Sequence, residues 1–138
     1  MPQKITLGYK KLVEDAEKEI ESIPTRDAFA LVGRDDTVLV DIRDIRELQR
    51  DGVIPGALHA PRDMLEFWVD PESPYYKPAF GTGQKFIFFC AAGGRSALAA
   101  QQLQRMGLEP VAHMAGGFRD WKQAGAPIAA WEKPKKTG

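Results

Sequence analysis

Phe86-Ile87-Phe88-Phe89-Cys90-Ala91-Ala92-Gly93-Gly94-Arg95-Ser96 runs from four apolar residues into the chain's only cysteine, then into a turn of small residues that opens a helix. An uninterrupted apolar run of this length reads as a strand buried on both faces, as in a parallel sheet covered by helices. Ala91, Ala92, Gly93 and Gly94 carry little or no side chain, so the N–H groups of the turn can converge on one centre and attract negative charge. Ser96 to Met106 is rich in strong helix formers, and the positive end of its dipole faces the same centre. Cys90 is therefore expected to titrate below the free-thiol value of about 8.5 and to react as a thiolate. The alternative is a small buried hydrophobe, as free cysteines often are. Two glycines, an arginine and a helix start behind the thiol favour the reactive reading.

With 138 residues the chain is long enough for one domain with a real core. Its 19 basic and 19 acidic residues balance, which gives no reason to expect nucleic acid or an anionic membrane as partner. No segment is apolar for long enough to cross a bilayer, and the first residues hold no sustained apolar stretch. The expectation is a soluble protein of the reducing cytoplasm. A lone cysteine makes no internal disulfide, and His59 and His113 lie far apart, so neither a metal site nor a cofactor is expected.

Strand and helix signals alternate outward from the cysteine. Thr37 to Asp41 is a β-branched strand that stops at a carboxylate, and Ile45 to Arg50 is a short helix closed by Asp51-Gly52. Gly56 to Ala60 is a brief strand between two prolines, and Arg62 to Val69 is helical. The proline-rich run from Asp70 to Pro78 is an extended loop that could lie beside the mouth of the site. Pro110 to Met114 is the last strand, followed by Gly116-Gly117 and a helix through Ala124. Ahead of these, Leu12, Val13, Ala16 and Ile20 fall at helical spacing in an amphipathic helix over Tyr9 to Ile23, with packing, against its own domain or a partner chain, as its role. Thr25 is the expected cap of a second short helix reaching Leu31-Val32. The expected division is a helical extension over 1–24, a domain over 25–131 and a disordered tail over 132–138. The fold class is α/β, a mainly parallel central sheet with helices on both faces in three layers. Asp41, Cys90 and the Met114 to Gly117 turn all fall at the carboxyl ends of strands, where such sheets bind ligands.

Four stretches in order carry a resemblance: Val40-Asp41-Ile42-Arg43 with Glu47, Gly52-Val53-Ile54-Pro55-Gly56-Ala57, the Cys90 loop, and Ala115-Gly116-Gly117-Phe118-Arg119-Asp120-Trp121. By these the chain resembles the single-domain rhodanese-like sulfurtransferases, an α/β sandwich family. The resemblance implies that Cys90 accepts a sulfane sulfur from thiosulfate or a persulfide, becomes a persulfide itself, and passes the sulfur to a thiol or cyanide. The N–H groups of Ala91, Ala92, Gly93, Gly94, Arg95 and Ser96 would stabilise the thiolate and then the persulfide anion. Four residues separate Cys90 from Arg95, whereas related phosphatases use five to wrap a tetrahedral phosphate. A phosphatase or arsenate-reductase-like hydrolase is thus the alternative on the same fold, and a non-catalytic binding module is a third reading.

The supporting residues are Asp41, Arg43, Gly116 and Gly117. Asp41 and Arg43 are read as holding the loop in shape, and the glycines as allowing the last turn to approach it. Arg95 either adds positive charge to the loop or pairs with a carboxylate such as Asp41. Arg62 is taken as solvated, His59 and His113 as structural, Trp68 and Trp121 as core, and Tyr75 and Tyr76 as loop residues. Ala91 and Ala92 leave the rim uncharged, which favours a small-molecule or protein persulfide as donor. A thiol is the expected acceptor, and a homodimer through the N-terminal helix is a further partnership the pattern offers.

Overall fold

The computed structural model describes residues 2–133, so the expected disordered tail lies, from residue 134, outside the described residues. Five strands form one all-parallel sheet in the order β1-β5-β4-β2-β3. They are β1 (Glu21–Ile23), β2 (Thr37–Asp41), β3 (Leu58–His59), β4 (Lys85–Phe89) and β5 (Val111–Met114). The helices are α1 (Tyr9–Glu19), α2 (Thr25–Ala28), α3 (Ile45–Asp51), α4 (Leu65–Val69), α5 (Gly94–Arg105) and α6 (Gly117–Gln123), with short 3-10 turns at Phe29–Leu31, Arg62–Met64 and Pro78–Phe80.

The strand before the cysteine sets the layering. Successive side chains of β4 point to opposite faces. Phe86 and Phe88 join Ala16, Leu65, Ala97, Ala100 and Leu103 in a core under α1, α4 and α5. Ile87 and Phe89 join Ala28, Met114, Phe118 and Trp121 in a second core under α2 and α6. The α/β class with helices on both faces of a parallel sheet is thus the observed architecture.

Three local expectations are corrected. The first helix does not reach Ile23: it ends at Glu19, Ile20 turns extended, and Glu21–Ile23 becomes an edge strand beside β5. Pro24 bars a longer helix, because its ring would clash with the carbonyl of Ile20 four residues back, and it drives Ile23 out of the helical region. Thr25 is the first helical residue rather than the cap. Pro24 holds the cap position, and the buried Thr25 hydroxyl has no hydrogen-bond partner. The loop after α4 does not flank the cysteine. Val69, Asp70 and Pro71 share a cavity with Met106, Gly107 and Leu108, at the far end of α5, roughly 18 Å along the helix from the Cys90 turn. Lys77 holds that loop down, donating its N–H to the Trp68 carbonyl at 2.8 Å and placing its ammonium 4.9 Å from the indole centroid.

The apolar stripe of α1 is used within the chain. Ala16 and Ile20 are buried in the first core with Val13 packed against it, leaving Ile5, Leu7, Tyr9 and Leu12 exposed.

Asp41 and Arg43 form a buried ion pair, Nη2 to Oδ2 at 2.7 Å, and Nη2 also donates to the Gly52 carbonyl at 2.9 Å. The Arg43 guanidinium lies 4.0 Å above the Phe118 ring, so the pair ties the end of β2 to the end of α3 and to α6. Gly117 has φ +62°, and a Cβ there would lie 2.6 Å from the Cys90 carbonyl oxygen. Removing one partner of the pair leaves an uncompensated buried charge. Arg43→Met should therefore lower the free energy of unfolding by about 3–5 kcal/mol in urea titration, with partial recovery in Asp41→Asn/Arg43→Met. Gly117→Ala should cost about 1–3 kcal/mol in the same assay, from backbone strain and displacement of the cysteine turn.

Candidate active site

Cys90 follows the last residue of β4, at the carboxyl edge of the sheet, where Ile42 N–H donates to the Phe89 carbonyl and keeps the neighbouring strand end in line. The next turn closes around the thiol. Gly93 N–H donates to Cys90 Sγ at 3.1 Å, and the Cys90 thiol is 3.7 Å from Ser96 Oγ. Gly93 adopts φ +119°, and a Cβ there would collide with the Ala115 carbonyl, so the position requires glycine. Helix α5 begins at Gly94 and directs its amino end at the same turn.

A second helix fixes the outer side of the loop. Phe118 N–H donates to the Cys90 carbonyl at 2.8 Å and Arg119 N–H to the Ala91 carbonyl at 3.0 Å. Gly117 permits that approach. Gly116 does not face the loop, because a Cβ on it would meet the Asp120 carboxylate instead. Of the residues singled out in the sequence, Cys90, Gly93 and Ser96 are buried together, and Ala91 and Gly94 are half-buried around them. Ala92 and Arg95 are exposed on the rim, and Asp41 and Arg43 act on the loop only through Phe118.

Arg95 pairs with Glu47, not with Asp41. Its two terminal nitrogens donate to Glu47 Oε1 and Oε2 at 2.8 and 3.0 Å, a two-pronged bond between α5 and α3. Glu47 Oε1 also accepts the Asp44 N–H, closing the cap of α3, so one carboxylate both starts that helix and restrains the cysteine loop. Arg95 holds the Glu47 carboxyl below its ordinary range, chiefly by this hydrogen bond. The contact therefore persists through the neutral range and is lost only as acid protonates Glu47 at that lowered value.

Cys90 is only 1% exposed, so a reactant must come in over the rim. There a groove of about 230 Å³ is lined by Ile42, Asp44, Pro61, Arg62, Asp63 and Arg95. Its charges balance, and Arg62 is bound to Glu66 at 2.8 Å as Arg95 is to Glu47. A larger cavity of about 330 Å³, lined in part by Thr37, Val38 and Leu39, lies at the amino end of β2, opposite the thiol. Among the described residues no group of three or more His, Cys, Asp or Glu side chains converges as a metal site would. No helix among them is long and apolar enough to cross a membrane.

Two features escaped the sequence. Glu47 lies in a motif but gives no sign there that Arg95 binds it. His113, read as structural, is drawn within 3.0 Å of Ser96, directly behind the thiol.

Comparison with known proteins places this geometry. The family model described as Rhodanese-like domain matches residues 26–124. The chain is 30% identical over 112 residues to the thiosulfate sulfurtransferase GlpE of Glaesserella parasuis serovar 5, covering 81% of this chain and 95% of that protein. Among solved structures, a protein of unknown function and possible tyrosine phosphatase from Rhodopseudomonas palustris CGA009 is 56% identical, with a TM-score of 0.90 over 94% of this chain and 99% of that one. The polysulfide-sulfur transferase homodimer from Wolinella succinogenes is 25% identical, with a TM-score of 0.66 over 88% of this chain and 86% of that one. A cysteine at the end of a central parallel strand, cradled by a glycine-rich helix start and clamped by a GG-containing turn, lies within the span that the family model matches, and the chain belongs to the rhodanese-like domain family.

Proposed function

We propose that this protein is a sulfurtransferase that carries sulfane sulfur as a persulfide on Cys90. The observation that carries the reading is the 3.1 Å hydrogen bond from Gly93 N–H to Sγ at the start of α5, which stabilises negative charge on a sulfur with no second cysteine to pair with. The Cys90 thiolate attacks the outer sulfur of a donor R–S–S⁻. A bond from Sγ to that sulfur forms as the donor's S–S bond breaks, and RS⁻ leaves. An acceptor thiolate then attacks the terminal sulfur of the Cys90 persulfide and restores the Cys90 thiolate. No net oxidation occurs, and the Gly93 N–H meets an anionic sulfur throughout.

The rim favours a persulfide over thiosulfate as donor. Both groove arginines are held by glutamates, and Ala91 and Ala92 add no cation for a sulfonate-like group. The acceptor is a small-molecule or protein thiol, as suits the reducing cytoplasm. A homodimer, if formed through the N-terminal segment, would use the exposed Ile5, Leu7, Tyr9 and Leu12.

The phosphatase reading gains weight from the similar Rhodopseudomonas protein, a possible tyrosine phosphatase, and the loop speaks against it. Only four residues separate Cys90 from Arg95, and both terminal nitrogens of Arg95 are committed to Glu47.

Intact-protein mass after brief exposure to glutathione persulfide should show a gain of one sulfur that cyanide removes and Cys90→Ser abolishes. Thiosulfate should load the protein more slowly. No gain from either donor, with Cys90-dependent hydrolysis of an aryl phosphate, would overturn the proposal. Arg95→Ala removes a partly exposed ion pair and a weaker contact with the Cys90 sulfur, so it should cost about 1 kcal/mol of stability or less and slow sulfur loading less than about tenfold. A larger loss, with the fold intact by circular dichroism, would instead give Arg95 a direct role.

A further inference from the structure

Behind the thiol, a line of polar side chains runs out of the core. Ser96 Oγ is 3.7 Å from Cys90 Sγ, 3.1 Å from the Gly93 carbonyl and 3.0 Å from His113 Nδ1. His113 Nε2, at the other side of the ring, is 3.1 Å from Ser22 Oγ and 3.5 Å from Glu17 Oε2. Ser96 and His113 are fully buried, whereas Glu17 on α1 is 41% exposed at its side chain. The line therefore starts at a buried sulfur and ends at a carboxylate open to water.

The donors and acceptors settle how protons sit along it. The Glu17 carboxyl and Ser22 Oγ both offer acceptors to Nε2, so the ring is best satisfied with its N–H at Nε2 and its lone pair at Nδ1 facing Ser96. The single Ser96 hydroxyl proton has two acceptors at nearly equal distance, Nδ1 and the Gly93 carbonyl, and the hydroxyl oxygen keeps a lone pair for the Cys90 S–H. When Cys90 gives its proton to Ser96 as Ser96 gives its own to Nδ1, one S–H and one O–H bond break, and one O–H and one N–H bond form. A neutral thiol and imidazole become a thiolate and an imidazolium, the first held by Gly93 N–H and the second by Glu17. A residue packed only for structure has no need to end its hydrogen-bond chain on the nucleophile.

We propose that Ser96 and His113 form a relay that takes the proton of the Cys90 thiol, with Glu17 as the carboxylate that orients His113. This rests on Cys90 being the reacting thiol, but not on the identity of the sulfur donor. Burial lowers the basicity of His113 and Glu17 partly offsets it, which keeps the ring neutral and able to accept at neutral pH. Of the other charged groups on the elements packed around the ring, Lys18 is engaged with Glu14 and Lys11 with Asp15 on α1, Glu19 with Gln101, Glu21 of β1 with Lys85, and Arg95 of α5 chiefly with Glu47, while Lys10 of α1 and Arg105 of α5 form no ion pair among the described residues.

The test is the rate of Cys90 alkylation by iodoacetamide between about pH 5 and pH 10, with folding checked by circular dichroism and thermal melting. His113→Asn should slow alkylation about tenfold or more near neutral pH and move the half-maximal rate to higher pH, leaving the alkaline plateau unchanged. Glu17→Gln, at a solvent-exposed site, should shift the profile in the same direction by a few-fold, and Ser96→Ala should resemble His113→Asn. Profiles of Glu17→Gln and Ser96→Ala that superimpose on the native one would overturn the relay, even if His113→Asn fails to fold. A rate lowered equally at every pH would overturn it too, as a purely steric effect. Sulfur loading with an unchanged profile in the variants would sink the relay alone. A normal relay without sulfur loading would sink only the sulfurtransferase reading.

Discussion

Two backbone hydrogen bonds, from Phe118 N–H to the Cys90 carbonyl and from Arg119 N–H to the Ala91 carbonyl, are the constraint on which the site depends. A trans peptide points its C=O and the next N–H in opposite directions. Tying these carbonyls to α6 therefore turns the N–H groups of Ala91 and Ala92 away from that helix. The turn can then close until Gly93 N–H reaches the sulfur. The approach of α6 in turn requires Gly117 in a left-handed conformation, Trp121 seated in the second core and the Arg43 guanidinium over Phe118. Residues distant in sequence thus act on the thiol through one rigid helix start.

The parallel sheet makes this possible by placing every strand's carboxyl end on one side. β2 delivers Asp41 and Arg43, β4 delivers Cys90 and β5 leads into Gly116-Gly117 on that same edge. The rim is closed by α3 and α5, whose Glu47 and Arg95 join at the loop. From the other edge, α1 and β1 bring Glu17 and Ser22 to the rear of the thiol through His113. The sulfur is thereby gripped from the front by backbone and approached from behind by side chains.

The chemistry of the front was legible in the chain because it is local. An apolar run, a cysteine, four small residues and a helix-forming segment are contiguous, and each imposes its conformation on near neighbours. The α/β class was legible for the same reason, since a strand such as Phe86 to Phe89, apolar at every position, requires cover on both faces. What failed was also local in cause. The helical spacing of Leu12, Val13, Ala16 and Ile20 suggests a helix past Glu19, but the Pro24 ring is incompatible with a helix running through Ile20 to Ile23, and Glu21–Ile23 give the edge strand β1. The proline-rich loop was placed near the mouth by its position before β4. It leads to that strand's amino end, which a parallel sheet puts on the side away from the thiol.

By itself the sequence determined the fold class, the place of Cys90 at a strand end and the turn that cradles it, because these follow from short-range sterics and from burial of contiguous apolar residues. Only the tertiary structure decided which charges meet. Arg95 found Glu47, 48 positions away, rather than Asp41, which Arg43 had already taken, and His113 found Ser96, Ser22 and Glu17 from three other elements. The physical reason is that an ion pair or hydrogen bond depends on a few ångströms of separation and on which competitors are satisfied first. Those distances are set by how strands and helices are ordered across the sheet, which no local pattern encodes.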